Sequence, residues 1–188
     1  MRYGFKAQAE RDALETRTKL KLKPSAPFDP FAYAELLGVI VIGVDELVLS
    51  SSCKGQLLVK DPSSWSGMTL REGSRWFIVL NPTHARERQV NTLTHELAHI
   101  VLKHVPTKVN LSESGHLMLS EFSKEDEEEA DWLAATLLLP RDVLFEKRER
   151  NRSIAQIASD MGVSKQLCEW RVRMTGVDAQ LKRRTRTA

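Results

Sequence analysis

The sequence NTLTHELAHIVLKH, residues 91–104, constrains this chain more than any other stretch, because a helical pattern of apolar residues coincides there with three polar side chains in fixed spacing. At about 100° per residue, one side of a helix would carry an apolar stripe. Its members are Val90, Leu93, Leu97 and Val101. His95 and His99 would project from the opposite side. A helix buried through this stripe can therefore present both histidines to a cleft.

The residues His95, Glu96 and His99 have the arrangement HExxH. Two histidines four positions apart on a helix lie about one turn from each other, so both imidazoles can reach a single Zn²⁺. The glutamate beside the first histidine can take a proton from a water molecule at the metal. The alternative is a pair of ordinary surface or core histidines with hydrogen-bond partners. The arrangement favours a zinc metallohydrolase, and within that class a metallopeptidase with Glu96 as its catalytic residue.

A catalytic zinc site usually has three protein ligands and a water, so a third ligand is expected after His99. The acidic run Glu125–Glu129 leads directly into the apolar sequence ADWLAATLLLP. Helical phase places Glu127 and Asp131 on an inward, apolar side. Glu127 is therefore the predicted third ligand, with Glu128 in reserve, and Asp131 is predicted to orient a ligand histidine by a hydrogen bond. The remaining acidic residues of the run are predicted to lie on a solvated face, where they would offset the helix macrodipole. They are Glu125, Asp126 and Glu129.

Two further histidines lie near the proposed ligands. His104 is five residues after His99, about 140° around the helix, which favours a helix-end residue over a ligand. His116 lies in the stretch PTKVNLSESGHLML, residues 106–119, which we expect to be irregular. It could donate to the oxyanion of a tetrahedral intermediate, or it could be a loop histidine. The sequence leaves both roles open, and the loop is favoured.

Composition indicates a soluble, cytoplasmic protein without a membrane partner. The 28 Lys and Arg residues nearly balance 25 Asp and Glu residues, too small an excess to favour nucleic acid as the main partner. Two cysteines, Cys53 and Cys168, make neither a disulfide framework nor a metal-ligand spacing, so a reducing compartment is expected. The first residues carry charges throughout and lack the apolar core of a signal peptide.

The rest of the pattern predicts an α+β fold with a small mixed or antiparallel sheet. Helices are expected at residues 5–22 and 30–37. Strands are expected at residues 39–42, 56–60, 66–70 and 75–81. An edge strand beside a metal could align an extended peptide by strand addition, and residues 65–70 are the candidate for that edge.

The C-terminal part has the pattern of a helix-turn-helix. After a helix at about residues 141–150, the sequence RSIAQIASDMGVSKQLCEWRVRMTG predicts two short helices around a turn at Met161 and Gly162, with Ser164 capping the second. If this unit bound DNA, three exposed residues would read the bases: Lys165, Gln166 and Glu169. A helical hairpin that packs on the catalytic domain without touching DNA is the favoured alternative.

Five blocks of the chain together resemble the ImmA/IrrE metallopeptidase family. They are GFKAQAERDALETRTKL, IVLNPTH, THELAHIVLKH, EEEADWLAATLLLP and IAQIASDMGVS, in this order over about residues 4–176. The resemblance implies a zincin-type fold, zinc held by His95, His99 and Glu127, and Glu96 as general base. It further implies a cytoplasmic endopeptidase whose known relatives cleave helix-turn-helix repressors and so switch on mobile-element or stress genes.

We therefore expect three segments. A zincin-like metallopeptidase domain with the HExxH active-site helix would occupy residues 1–150, a helix-turn-helix-like segment residues 151–176, and a basic C-terminal tail residues 177–188. Two other functions remain open. One is a DNA-binding regulator whose zinc site is structural or sensory, which salt-dependent DNA binding would reveal. The other is a protein that binds a repressor without cutting it. Both rank below the peptidase, because a structural zinc site usually has four protein ligands and the sequence offers three.

Overall fold

The computed structural model describes residues 1–47, 50–111 and 117–187. Within them the chain forms two compact units, one of Met1 with Asp29–Ala130 and one of Arg2–Phe28 with Asp131–Ala188. Helices and a β-sheet are both present, so the predicted α+β class is confirmed. His116 lies outside the described residues. None of the described helices combines the length and the apolar character needed to cross a bilayer.

The first unit contains a five-stranded mixed sheet. Its strands are β1 (Val39–Gly43), β2 (Gly67–Glu72), β3 (Arg75–Leu80), β4 (Lys108–Leu111) and β5 (Leu117–Glu121). The order across the sheet is β1-β3-β2-β5-β4. β1 pairs in parallel with β3, and the other neighbouring strands pair antiparallel. Three of the four predicted strands correspond to β1, β2 and β3.

The prediction of a strand at residues 56–60 is wrong. Helix α3 (Ser51–Gly55) continues there into a wider helical turn, Gln56–Lys60. The Trp65 indole donates a hydrogen bond to the carbonyl of Leu57 at 3.1 Å. A short apolar run such as QLLVK carries too few residues for periodicity to separate strand from helix, which explains the error.

The prediction of an irregular stretch after the HExxH motif is also wrong, because β4 and β5 pair there as antiparallel strands. β5 also pairs with β2 over Thr69–Arg71. Residues 65–70 are therefore not the edge of the sheet where β5 covers them, and the candidate edge for strand addition is wrong along that length. The sequences KVNL and LMLSE are each too short to show an alternating pattern, and their pairing depends on contacts distant in sequence.

The helices of the first unit begin with α2 (Pro30–Leu36), whose first turn is capped by Asp29. The Asp29 carboxylate accepts hydrogen bonds from the backbone of Phe31 and Ala32 at 2.9 and 3.3 Å. Helix α4 (Arg86–Leu102) carries the HExxH residues and contacts β2 and β3. Its buried side chains are Val90, Leu93, Thr94, Leu97, Ala98 and His99.

Strand β2 approaches α4 so closely that one position favours glycine. A Cβ atom on Gly67 would lie 2.7 Å from Cγ2 of Thr92 on α4. Thr69 lies two residues further along β2 and points to the same face, and Glu96 lies one turn after Thr92 on α4. The distance along a strand between residues i and i+2 is about 6.7 Å, and the distance along a helix between residues i and i+4 is about 6 Å. Because these distances are similar, the contact of Gly67 with Thr92 is followed by one of Thr69 with Glu96. This close packing places Thr69 opposite Glu96.

The second unit is helical in its described part. It contains α1 (Phe5–Lys19), the end of α5 (Lys124–Leu138), α6 (Arg141–Glu149), α7 (Ile154–Met161), α8 (Lys165–Thr175) and α9 (Val177–Thr187). Two buried arginines bind the carbonyls at the end of α5. Arg17 donates to the carbonyl of Leu137 at 3.1 Å, and Arg171 donates to that of Leu139 at 3.0 Å. Cations at a helix C-terminus offset the negative end of the macrodipole.

Helices α7 and α8 have the ends that the sequence predicts. Gly162 ends α7 in the left-handed conformation, with φ of 65°, and the Ser164 hydroxyl accepts a hydrogen bond from the backbone of Leu167 at 3.1 Å. The segment expected to be a basic C-terminal tail forms helix α9 over Val177–Thr187.

Candidate metal centre and active site

Three side chains predicted as metal ligands lie together in the first unit. His95 and His99 come from α4 and Glu127 from α5, and their ligand atoms all lie within 4.8 Å of one another. The two Nε2 atoms of the histidines are 3.1 Å apart. Oε2 of Glu127 lies 3.3 Å from Nε2 of His95 and 3.7 Å from Nε2 of His99.

These distances fit a tetrahedral zinc ion. Two ligand atoms at about 2.1 Å from such an ion are about 3.4 Å from each other. The three measured separations, 3.1, 3.3 and 3.7 Å, lie around that value. Two histidines and a carboxylate, with a fourth position left for water, are a donor set of catalytic rather than structural zinc sites. The Glu127 side chain is 45% exposed, so solvent reaches this side of the cluster.

The protonation states of these residues also suit a metal. Burial first, and then the neighbouring His95 ring, lower the pKa of His99 from 6.5 to about 4. His99 is therefore neutral at neutral pH and has a lone pair to offer. The hydrogen bond with His95 lowers the pKa of Glu127, although partial burial opposes the change. A neutral imidazole and an ionised carboxylate are the forms that bind metal.

Glu96 is held beside the cluster by a residue that the sequence did not single out. The Thr69 hydroxyl donates a hydrogen bond of 2.6 Å to Oε2 of Glu96. Thr69 is only 1% exposed, so this contact is shielded from solvent. Burial raises the pKa of Glu96, and the Thr69 hydrogen bond opposes that rise. A carboxylate with a raised pKa accepts and releases a proton more readily near neutral pH, as a general base must.

His99 is held on its remaining sides by Phe122 and His104. The Phe122 ring stacks on His99, with ring centres 3.8 Å apart and an angle of 25° between the planes. Nδ1 of His104 lies 3.0 Å from Nδ1 of His99. On its other side, Nε2 of His104 lies 3.5 Å from Oδ1 of Asp126 and 3.8 Å from Oε2 of Glu129.

Comparison with models of protein families shows which family the chain belongs to. The peptidase M78 family, described as an IrrE N-terminal-like domain, matches residues 56–173, which is more than half of the chain. The chain belongs to the peptidase M78 family. This confirms the resemblance to ImmA/IrrE proteins, and it points to a metallopeptidase. No individual curated protein matches the chain.

Two of the predictions for the acidic run of this M78 protein are wrong. Glu129, which helical phase assigned to the solvated face, is 2% exposed. Asp131, which was expected to face inward, is exposed. The error arises because buried residues follow one another without interruption from Trp132 to Leu139, so apolar side chains occur at every phase of α5 and mark no single inward face. The role of Asp131 in orienting a ligand stays a prediction.

The remaining acidic residues of the M78 site divide between two neighbours. Glu125 and Glu128 lie beside the amino group of Met1, at 2.8 and 3.2 Å. Glu128, the reserve ligand, is outside the His–His–Glu cluster found among the described residues. Asp126 accepts a hydrogen bond from the Ser123 hydroxyl at 2.7 Å.

The sequence reasoning missed Thr69 and Phe122 and gave His104 no role at the site. An alternating pattern on β2 could have shown that Thr69 faces a helix, but not which helix residue it meets. For Phe122 the signal is weak, since it is a single aromatic residue before an acidic helix.

Proposed function

We propose that this M78 family member is a zinc-dependent endopeptidase with a zincin-type active site, in which His95, His99 and Glu127 bind the metal. The observation that carries the proposal is the tetrahedral spacing of these three donors beside Glu96, in a chain from a peptidase family. A structural zinc site would be expected to offer a fourth protein ligand. Among the described residues, the cluster that could hold a metal contains three.

In the proposed mechanism Glu96 is the general base. A zinc ion held by the three ligands would lower the pKa of a water molecule and polarise the scissile carbonyl. Glu96 would take a proton from the attacking water and pass it to the leaving amine as the C–N bond breaks. The raised pKa of Glu96 suits both transfers, and the hydrogen bond from Thr69 fixes the plane of the carboxylate. Glu96 is therefore the proposed catalytic residue, and Thr69 a positioning residue.

The proposed substrate is a helix-turn-helix repressor in the cytoplasm, whose cleavage would derepress mobile-element or stress genes. This part of the proposal is supported by the family alone. Relatives often lie beside the gene of their target, so the product of a neighbouring gene with a helix-turn-helix pattern is the first substrate to test.

A regulator that binds DNA or a repressor is the second candidate. It is favoured by one observation: the predicted base-reading residues at the start of α8, Lys165, Gln166 and Glu169, are all exposed. Lys165 and Glu169, however, lie 3.5 Å apart as an ion pair on the surface of the helix. A lysine paired in this way is less available to phosphate, so we rank this function below the peptidase.

The decisive experiment measures metal content and repressor cleavage in the same protein preparations. Wild type is expected to hold about one zinc per chain and to cleave the neighbouring repressor. Glu96→Gln is expected to retain zinc and lose cleavage, whereas His95→Ala loses both. Glu87→Gln, in the first turn of the same helix, is the matched control and is expected to behave as wild type.

Two results would contradict the proposal. Cleavage by purified Glu96→Gln at the wild-type rate would exclude Glu96 as general base. Wild type that takes up no zinc from a zinc-supplemented solution would exclude the metal site.

A further inference from the structure

The end of helix α4 brings His104 back onto His99. Lys103 follows the last helical residue in the left-handed conformation, with φ of 56°. The backbone N–H of His104 then donates to the carbonyl of His99, and that of Lys103 donates to Ile100, both at 3.1 Å. These two bonds form a Schellman motif, in which the second residue beyond the helix usually makes an apolar contact with the last turn. Here that contact is between two histidines.

The contact joins the ring nitrogens that face away from the metal cluster. Nε2 of His99 points toward His95 and Glu127, so its lone pair belongs there when a metal binds. A neutral imidazole then carries its hydrogen on Nδ1. This hydrogen points at Nδ1 of His104, 3.0 Å away, which must be the acceptor. His104 therefore carries its own hydrogen on Nε2.

The acidic helix α5 supports that form of His104. Nε2 of His104 faces the carboxylates of Asp126 and Glu129 at 3.5 and 3.8 Å, and the His104 side chain is only 5% exposed. At these distances the carboxylates attract the Nε2 hydrogen electrostatically rather than through short hydrogen bonds. The attraction favours the tautomer whose Nδ1 accepts from His99.

We propose that His104 is a positioning residue for the metal ligand His99, an inference that rests on the proposed metal site. His104 holds the Nδ1 edge of the His99 ring, while Phe122 covers one face. Helix α5 thus acts on the site twice, since it supplies the ligand Glu127 and also the two carboxylates that face His104. Partners of this kind orient ligand histidines, and their loss typically weakens metal binding by about 10- to 100-fold.

The test compares two substitutions of nearly the same shape. His104→Asn keeps an acceptor close to the position of Nδ1, whereas His104→Leu has the same number and branching of side-chain heavy atoms as asparagine but no acceptor. Zinc affinity is measured by competition with a chelating dye, and the visible spectrum of the Co²⁺-substituted protein reports the ligand geometry. Circular dichroism and urea unfolding of the metal-free variants show whether each one folds.

We expect His104→Leu to bind zinc about 10- to 100-fold more weakly than wild type and to alter the cobalt spectrum, and His104→Asn to recover most of the affinity. Unchanged affinity in folded His104→Leu, or equal losses in both variants, would overturn the positioning role. Failure of the proposed function looks different: wild type itself would bind no zinc, and His95→Ala would not differ from it. That outcome would overturn the metal site and this inference together.

Discussion

The stability of the metal-free protein should depend on pH through His99. Burial and the adjacent His95 ring lower the pKa of His99 from 6.5 to about 4 in the folded state. Between these two values the unfolded chain binds a proton that the folded chain does not. Stability is therefore fully present above about pH 6.5 and is lost as the pH falls toward 4. At about 1.4 kcal/mol per unit, the full loss is about 3 kcal/mol.

The measurement is urea unfolding of metal-free wild type and His99→Gln at pH 7, 5.5 and 4. Both proteins lose stability from other groups as the pH falls, so the quantity of interest is their difference. Wild type is expected to lose about 3 kcal/mol more than His99→Gln over this range. His84→Gln, which removes a histidine beside Pro62 rather than one at the cluster, is the control substitution. An equal loss in wild type and His99→Gln would refute the reasoning.

Three further predictions follow from single contacts. Thr69→Val removes the hydrogen bond that opposes the raised pKa of Glu96, so the acid limb of the kcat/KM profile should move to higher pH, and Thr69→Ser should restore it. Glu10→Gln removes the charge beside the buried Arg171 guanidinium, 2.7 Å away, and should cost about 3 kcal/mol in urea unfolding; a cost below about 0.5 kcal/mol would contradict the ion pair. Gly67→Ala should destabilise the protein by about 1–3 kcal/mol because its Cβ would meet Cγ2 of Thr92, and adding Thr92→Ser, which removes that methyl group, should recover part of the loss.

The parts of the site that the sequence could predict depend on local spacing. His95, Glu96 and His99 share one helix, so their relative positions follow from helix geometry alone. The Ser164 cap of α8 likewise depends on residues within three positions of the helix start, and it was predicted from the sequence. Glu127 required one additional step, the expectation that a two-histidine site needs a third ligand from a nearby helix.

The parts that the sequence could not predict depend on contacts between distant segments, or on a helix that ends without the glycine that usually signals its C-terminus. Thr69 meets Glu96 across 27 residues of chain, and only the packing of β2 on α4 decides which strand residue lies opposite. The predicted position of His104, about 140° around the helix from His99, assumes that the helix continues past Lys103. In the structure the helix ends there and the chain turns back. Glycine usually marks such a turn, and a lysine with positive φ gives no signal in the sequence.

The acidic run at the start of α5 shows how helical periodicity divides one stretch of charge among three neighbours. Residues three apart share a side of a helix. Glu125 and Glu128 accordingly both lie beside the Met1 amino group, and Asp126 and Glu129 both face His104. Glu127, between these pairs, alone reaches His95 and His99. The sequence shows a single acidic patch that suits a helix N-terminus, whereas the fold separates a proposed metal ligand, two carboxylates that face His104, and an ion pair with the Met1 amino group. A substitution in this run should therefore change metal affinity according to which of these three neighbours the residue faces, and not according to the net charge it removes.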